Sequence, residues 1–349
     1  MPKPPSLCMK TAFSCRRADA GSHWSTSWTN MTGEFNYSSI SFSLLALLAG
    51  LSLLVAGGEA LVAGAVRLAC RLGMSALMIG LTVVAFGTSM PEFFVSLSAA
   101  LQDKQDLMLG NVIGSNIANV GLILGICAII APIGAPYLSF AREIYYVLVA
   151  SLAVAGAAWY GFFPRLLGLL FITALILFTY FSYKNGSIQR PADEMKDNAP
   201  ASYWSILPLC GGGLVCLAFG SNLLIGGATD VARYLGVSNL IIGLTIAAVG
   251  TSLPELASSI SAIRKGESDL LMGNIIGSNL FNLLMVMGGT AVIKPFFLQQ
   301  QLLLRDLPVM TLFSAVLLPF LYLGNQVSRF YGFLLLFAYG LYIFSLKAS

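Results

Sequence analysis

The stretch GLTVVAFGTSMPEFFVSLSAALQDKQDLMLGNVIGSNIANVGLILG, residues 80–125, returns as GLTIAAVGTSLPELASSISAIRKGESDLLMGNIIGSNLFNLLMVMG at residues 243–288. The shift is 163 positions without a gap, and 22 of the 46 positions are identical. The identities fall on residues that apolar filler does not share. GTSMPE at 87–92 stands against GTSLPE at 250–255, and GNVIGSN at 110–116 against GNIIGSN at 273–279. The correspondence reaches further, with Gly73 on Gly236, Pro132 on Pro295, and Arg142–Glu143 on Arg305–Asp306. Self-similarity at one fixed period marks a chain built from copies of a single structural unit.

Composition fixes the solvent of that unit. Of the 349 residues 57% are hydrophobic and only 10% charged, against about 25% charged in soluble proteins. Apolar runs recur almost to the C-terminus, each near the ~20 residues that cross a bilayer as helix. The sequence predicts an all-α polytopic membrane protein with ten spans, roughly 40–66, 74–100, 106–131, 144–162, 165–183, 203–232, 238–263, 269–293, 307–324 and 329–347. Residues 1–38 are polar and read as a disordered tail. They are not a signal peptide, because no charged segment leads directly into a short apolar stretch. The polar, mixed-charge segment 184–202 reads as a linker between a first repeat, 39–183, and a second, 203–349. Five spans per repeat is an odd number. The second repeat must therefore enter the membrane from the opposite side, which gives two inverted five-helix repeats.

Loop charges set an expected orientation. Outside the tail, the side holding the N-terminus has Lys104, Arg165, Arg233, Lys294, Arg305 and Lys347. The other side has Arg67, Arg71, Arg142, Lys184, Arg190, Lys196, Arg264, Lys265 and Arg329, and this richer side is expected to be cytoplasmic, with both termini outside. A net charge of +4 spread over loops suggests no nucleic acid partner. The six cysteines show neither a metal knuckle nor a disulfide framework, and His23, the only histidine, is in the tail.

The chemistry concentrates in the repeated motifs. Ala85, Thr88, Ser89 and Glu92 lie at helical spacing on one stripe. Pro91 lacks a backbone donor and crowds the Gly87 carbonyl. The helix should therefore break here and leave carbonyls such as that of Ala85 free. The second copy supplies Ala248, Thr251, Ser252, Pro254 and Glu255. Glu92 and Glu255 lie near the middle of apolar spans, where a carboxylate costs roughly 2.5–3.5 kcal/mol even on translocon scales. Together they repel unless something positive lies between them. The next span of each half carries Asn111, Ser115 and Asn119, or Asn274, Ser278 and Asn282, four apart on one face. Gly110, Gly114, Gly273 and Gly277 should let helices approach closely. The resulting donor set is all oxygen, which suits hard cations such as Ca²⁺. Two glutamates balance one Ca²⁺, two Na⁺ or two protons, so charge alone leaves the occupants open. Glu59 reads as a partner for Arg67 or an interfacial group, with a place in a vestibule as the alternative.

These motifs resemble the two α-repeats of the calcium/cation antiporter superfamily, which includes the sodium/calcium exchangers. Within it the chain is most similar to the YrbG-type exchangers of bacterial inner membranes. The resemblance runs from about residue 40 to the end. It implies secondary active exchange of Ca²⁺ for another cation. By position it implies that Glu92 and Glu255 are the calcium-binding acids. The supporting oxygens would come from Ala85, Thr88, Ser89, Ser115 and Asn119, and from Ala248, Thr251, Ser252, Ser278 and Asn282. Where potassium-dependent members carry an Asp, this chain has Asn282, which speaks against potassium dependence and removes one negative charge from the site.

The function expected is alternating access at one central site, with Na⁺ as counter-ion and H⁺ as the alternative. Spans one and six, rich in glycine (Gly57, Gly58, Gly64; Gly220, Gly226, Gly227), would slide against a core of spans two, three, seven and eight. A passive channel does not require inverted duplication. An intramembrane hydrolase would need a His with Ser, paired Asp or a zinc motif, and the spans carry none. The expected partners are the lipid bilayer and inorganic cations, with no cofactor and no obligate protein partner.

Overall fold

The computed structural model describes residues 40–186, 202–235, 250–298 and 302–347. The helices, in chain order, are α1 (Ile40–Leu72), α2 (Ala76–Thr88), α3 (Met90–Leu101), α4 (Gln105–Ile130) and α5 (Tyr137–Trp159). They continue with α6 (Arg165–Gly186), α7 (Tyr203–Tyr234), α8 (Leu253–Arg264), α9 (Ser268–Ile293), α10 (Leu304–Gly324) and α11 (Arg329–Lys347). Among the described residues eight helices are long and apolar enough to cross a bilayer, and α2 with α3 forms a ninth span bent by 42°. α8 is the described part of the expected span 238–263, whose first half lies outside the described residues, as do the expected tail and residues 187–201 of the expected linker. The fold is an all-α membrane architecture of two inverted five-helix repeats.

Three boundaries differ from expectation, the first being that α1 runs on to Leu72, past the expected end at 66, and takes in Arg67 and Arg71. α5 begins at Tyr137, not near residue 144, because Arg142 and Glu143 neutralise each other at 2.7 Å and can be carried inside the helix. α6 runs on to Gly186, so the start of the expected linker is helical.

The inverted symmetry is visible in contacts between halves. β1 (Ile133–Gly134) pairs antiparallel with β4 (Gln326–Val327), and β2 (Phe162–Phe163) with β3 (Phe296–Phe297). Each two-residue ladder joins the two halves, and each is the image of the other under the repeat. Lys294 at the end of α9 pairs with Asp103 before α4 at 2.7 Å, an inter-repeat contact at one end of the molecule. At the other end Lys265 meets Glu59, with Nζ 3.3 Å from the carboxylate and 2.8 Å from the Glu59 carbonyl. The partner of Glu59 is therefore Lys265 and not the expected Arg67. Such an exposed pair contributes at most about 1 kcal/mol.

Lipid tails are as apolar as Leu, so helices in a bilayer are held by close packing and polar contacts more than by the hydrophobic effect. α1 and α7 show this directly. Gly50 on α1 meets Gly220 on α7 and Gly57 meets Gly213, while Gly64 meets Cys210 and Gly227 meets Ser43 and Leu47, so that close contacts recur every seven residues along each helix. A Cβ on Gly57 would stand 2.9 Å from the Gly213 carbonyl oxygen, and one on Gly220 2.9 Å from that of Gly50. A seven-residue repeat keeps the same face in register along two helices crossing at a shallow angle. α9 lies at the centre, with every residue from Leu270 to Phe281 buried. Its Gly273 and Gly277 press on the backbone of α2 at Leu77 and Leu81. The segment that symmetry sets against Gly110 and Gly114 lies outside the described residues.

Candidate cation site

The span formed by α2 and α3 breaks where the sequence puts Pro91. Ser89 has φ −84° and ψ 1°, and its counterpart Ser252 has φ −88° and ψ 7°. Both sit in the sparsely populated bridge region that active-site residues often occupy. Each break starts a new helix with its glutamate in the first turn, Glu92 in α3 and Glu255 in α8. The positive end of a helix dipole favours a carboxylate there.

The two acids belong to one cluster. Both are 0% exposed. Ser89 Oγ donates to Glu255 Oε1 at 3.4 Å, and Ser252 Oγ donates to Glu92 Oε1 at 3.4 Å. Each glutamate is thus held by the serine three residues before the other one. Beside them the hydroxyls of Thr88 and Ser278, one from each half, lie 3.4 Å apart.

Asn111 and Asn274 form the supporting layer. Thr251 Oγ1 donates to Asn111 Oδ1 at 3.1 Å, and Thr88 Oγ1 lies 3.3 Å from Asn274 Oδ1. The Thr251 proton, spent on an amide oxygen, leaves the hydroxyl lone pairs for a cation, and the Thr88 proton has the Val84 carbonyl at 3.1 Å as its nearest acceptor. The Asn111 amide donates to Ser96 Oγ at 2.9 Å and to the Glu92 carbonyl at 3.2 Å. The Asn274 amide donates to Ser258 Oγ at 3.1 Å and Ser259 Oγ at 3.2 Å. Both asparagines couple the two halves. Truncating one strands several buried groups, at about 1–3 kcal/mol each. Asn274→Ala is expected to lower thermal stability in detergent by a few kcal/mol. Asn111→Ala, at a half-buried position, is expected to cost less. Equal and negligible shifts would reject the supporting role.

The turns that follow are distorted in the same way in both halves. Asn119 opens a π-helical turn at Asn119–Leu124, and Asn282 opens one at Asn282–Met287. Such wide turns recur at functional sites. The Asn282 turn packs on α3, which carries Glu92, and the Asn119 turn packs on α8, which carries Glu255. Asn119 Nδ2 donates to Asn279 Oδ1 at 3.0 Å. Asn279 is a cross-repeat contact that the sequence reading did not single out, though it stands in the GNIIGSN motif.

Among the described residues nine buried side-chain oxygens have no hydrogen-bond partner, and five of them sit on expected cation-binding residues: Glu92 Oε2, Glu255 Oε2, Ser115 Oγ, Asn119 Oδ1 and Asn282 Oδ1. Buried acceptors are almost always satisfied. The other four are Asn116 Oδ1, inside the GNVIGSN motif, and Glu143 Oε2, Ser261 Oγ and Thr290 Oγ1, outside the motifs.

Two expected contributors stand differently. The Ala85 carbonyl is not free, because the Ser89 N–H donates to it at 3.0 Å and Thr88 Oγ1 lies 3.4 Å away. Ala248 lies outside the described residues. The carbonyl that Pro254 leaves without its helical donor is that of Gly250, and Ser221 Oγ of α7 donates to it at 2.7 Å. Of the expected gating glycines, Gly57 and Gly220 stand on the α1–α7 ladder, and Gly58 faces the Ala257 carbonyl of α8. Gly226 is half-buried, one residue before the ladder position Gly227.

Comparison with known proteins gives the family. The family model described as sodium/calcium exchanger protein matches residues 42–184 and again 206–347. The CaxA protein of Alkalimonas amylolytica is 38% identical over 75% of this chain and 85% of its own length. The inner membrane protein YrbG of Escherichia coli is 36% identical over 65% of this chain and 73% of its own. The solved structure of the sodium-calcium exchanger NCX_Mj, soaked with zero Na⁺ and Ca²⁺, superposes with a TM-score of 0.77 at 29% identity. That match covers 88% of this chain and all of the other. With its duplicated acidic break, its inverted repeats and these relatives, the chain belongs to the sodium/calcium exchanger protein family, within the calcium/cation antiporter superfamily.

Proposed function

We propose that this protein exchanges Ca²⁺ for Na⁺ by alternating access, with the cations held between Glu92 and Glu255. The observation that carries the reading is the set of five buried, unpartnered oxygens on motif residues of both halves. Two carboxylates and neutral oxygens from hydroxyls and amides make a hard donor set of the kind Ca²⁺ takes, six to eight at a time. In this reading Thr88, Thr251, Ser89, Ser252, Ser115 and Ser278 supply hydroxyl oxygens, and Asn119 and Asn282 supply amide oxygens. Ala85 and Ala248 contribute backbone carbonyls, the former through its remaining lone pair.

The moving part in this mechanism is the α1–α7 pair. It touches the core through Gly58 against Ala257 and through Ser221 against Gly250, on either side of the break at Ser252. A small displacement there opens the site to one side or the other while the core stays fixed. A sodium/calcium exchanger of Methanosarcina acetivorans, 31% identical over 72% of this chain, and the structural relative NCX_Mj support sodium as counter-ion. We place the protein in a bacterial inner membrane, with the side rich in basic loops cytoplasmic and both termini outside.

Proton exchange is the second reading, favoured by the pair of buried carboxyls itself. Calcium uptake into inverted vesicles separates the two. A sodium gradient at fixed pH is expected to drive uptake by about tenfold or more over background, and a pH gradient without sodium is expected to drive none. Uptake driven by the pH gradient alone would replace Na⁺ with H⁺. Uptake that needs no counter-ion would reject antiport.

A further inference from the structure

A crevice of about 360 Å³ runs between α5 and α6, with Leu280 and Leu284 of α9 as its floor. None of the cation-site residues lines it. Its polar lining, Arg142, Tyr146 and Ser182, gathers at one end, near the start of α5 and the end of α6. From there toward the middle of the bilayer the walls are apolar, including Ala150, Ala153, Phe171 and Ala174. Val149 and Leu177 on its rim are at least half exposed on the surface that faces lipid.

We infer that this crevice binds one anionic phospholipid of the leaflet on the side with more basic loops, an acyl chain lying between α5 and α6 and the phosphate meeting Arg142. Three observations carry the assignment. The first is length. Arg142 to Ala153 is eleven residues of helix, about 16 Å at 1.5 Å per residue, close to half of a ~30 Å hydrocarbon core. The second is charge and orientation. Arg142 is half exposed, and buried Glu143 pins it by accepting from Nε at 3.0 Å and Nη2 at 2.7 Å. A guanidinium has five N–H donors in a rigid fork, so two are engaged by Glu143 and the rest remain for a phosphate. Lys184 stands at the same end of α6.

The third observation is a departure from symmetry. The repeat sets Phe313 in the place of Ala150 and Val316 in the place of Ala153. Phe313 is 6% exposed and packs against Gly121. Past a one-residue insertion that sets Arg165 on Arg329, Tyr342 stands where the first half has Phe178; it donates to Asp306 at 3.1 Å and bridges α10 to α11. The second half thus fills and ties the space that the first half keeps open with alanines. Leu284 belongs to the π-helical turn opened by Asn282, so a chain in the crevice would press on the back of that turn.

The test is native mass spectrometry of the full chain, delipidated in mild detergent and titrated with phosphatidylglycerol or phosphatidylcholine of equal acyl composition. Wild type is expected to retain one phosphatidylglycerol, bound about tenfold or more tightly than phosphatidylcholine. Ala150→Phe and, independently, Ala153→Leu are each expected to lose that adduct by about tenfold while staying monodisperse. Leu152→Phe, on the exposed face beside the crevice, is expected to keep it. Arg142→Gln is expected to bind the two lipids alike. If Ala150→Phe does not fold, Ala153→Leu decides. Unchanged phosphatidylglycerol binding in the folded crevice variants overturns the proposal. So does equal binding of the two lipids by wild type, or a protein dimer that Ala150→Phe dissolves.

Discussion

Glu92→Gln and Glu255→Gln are each expected to abolish calcium-coupled transport while leaving the cation-free protein as stable as wild type, or more so. The two effects have one cause. Glutamine keeps the shape of glutamate, so packing in the fully buried site is preserved. It removes one of two like charges that desolvation and mutual repulsion both penalise in the absence of a cation. With Ca²⁺ present the balance reverses, because a divalent ion then faces a single carboxylate. Breaking a buried ion pair costs about 3–5 kcal/mol, roughly a hundredfold or more in affinity. Calcium uptake and thermal unfolding with and without calcium check both halves of the statement. Wild type should gain about 2.7 kcal/mol at a calcium concentration a hundred times its Kd, and each variant should gain close to nothing at the same concentration. A variant that unfolds without calcium, or that still gains from it, would show that these acids hold the structure and not the ion.

Much of the candidate site is legible in the sequence, because the duplication picks out its polar residues. Glu92 and Glu255, the breaks at Ser89 and Ser252, and the cross-repeat pairing all follow from two motifs and an odd span count. What stays hidden is whatever depends on register or on distance in space. The π-helical turns at Asn119 and Asn282 add one residue to a turn, a change that a 3.6-residue periodicity cannot show. Proline identifies which carbonyl loses its donor, that of Gly250, but not that Ser221 of another helix supplies a replacement. The Ala85 carbonyl is free only if the helix stops before Ser89, and the Ser89 N–H in fact reaches back to it. Glu59 finds Lys265, 206 positions away, where nearness in sequence points to Arg67. Glycine richness in spans one and six is legible. The choice of Gly50, Gly57 and Gly64 over their neighbours needs the facing helix.

Gly58→Val is expected to stop transport by excluding the conformation described here, and Ser221→Gly to favour the opposite-facing one. The argument starts from symmetry. In an inverted-repeat transporter the two halves exchange their local conformations when access switches sides, so equivalent positions exchange surroundings. Gly58 and Ser221 are equivalent under the repeat. In the present conformation a Cβ on Gly58 would stand 2.8 Å from the Ala257 carbonyl oxygen, a backbone atom that cannot turn aside. Ser221, in the other half, has room for its side chain and donates to the Gly250 carbonyl at 2.7 Å. After the switch Ser221 would take the crowded place, against the carbonyl of Phe94 on α3, and would lose the bond to Gly250. Its side chain therefore opposes the alternate state, while Gly58 tolerates both. Overpacking of this kind costs about 1–3 kcal/mol, and more for a β-branched side chain against backbone. That is enough to move a two-state balance by tenfold to more than a hundredfold. Distances between spin labels on α1 and α8 would read the shift directly. Gly58→Val should populate a second distance and lose calcium flux, and Ser221→Gly should raise the minor population while keeping flux. A Gly58→Val protein with wild-type distances and flux would mean that the α1–α8 contact does not move during transport.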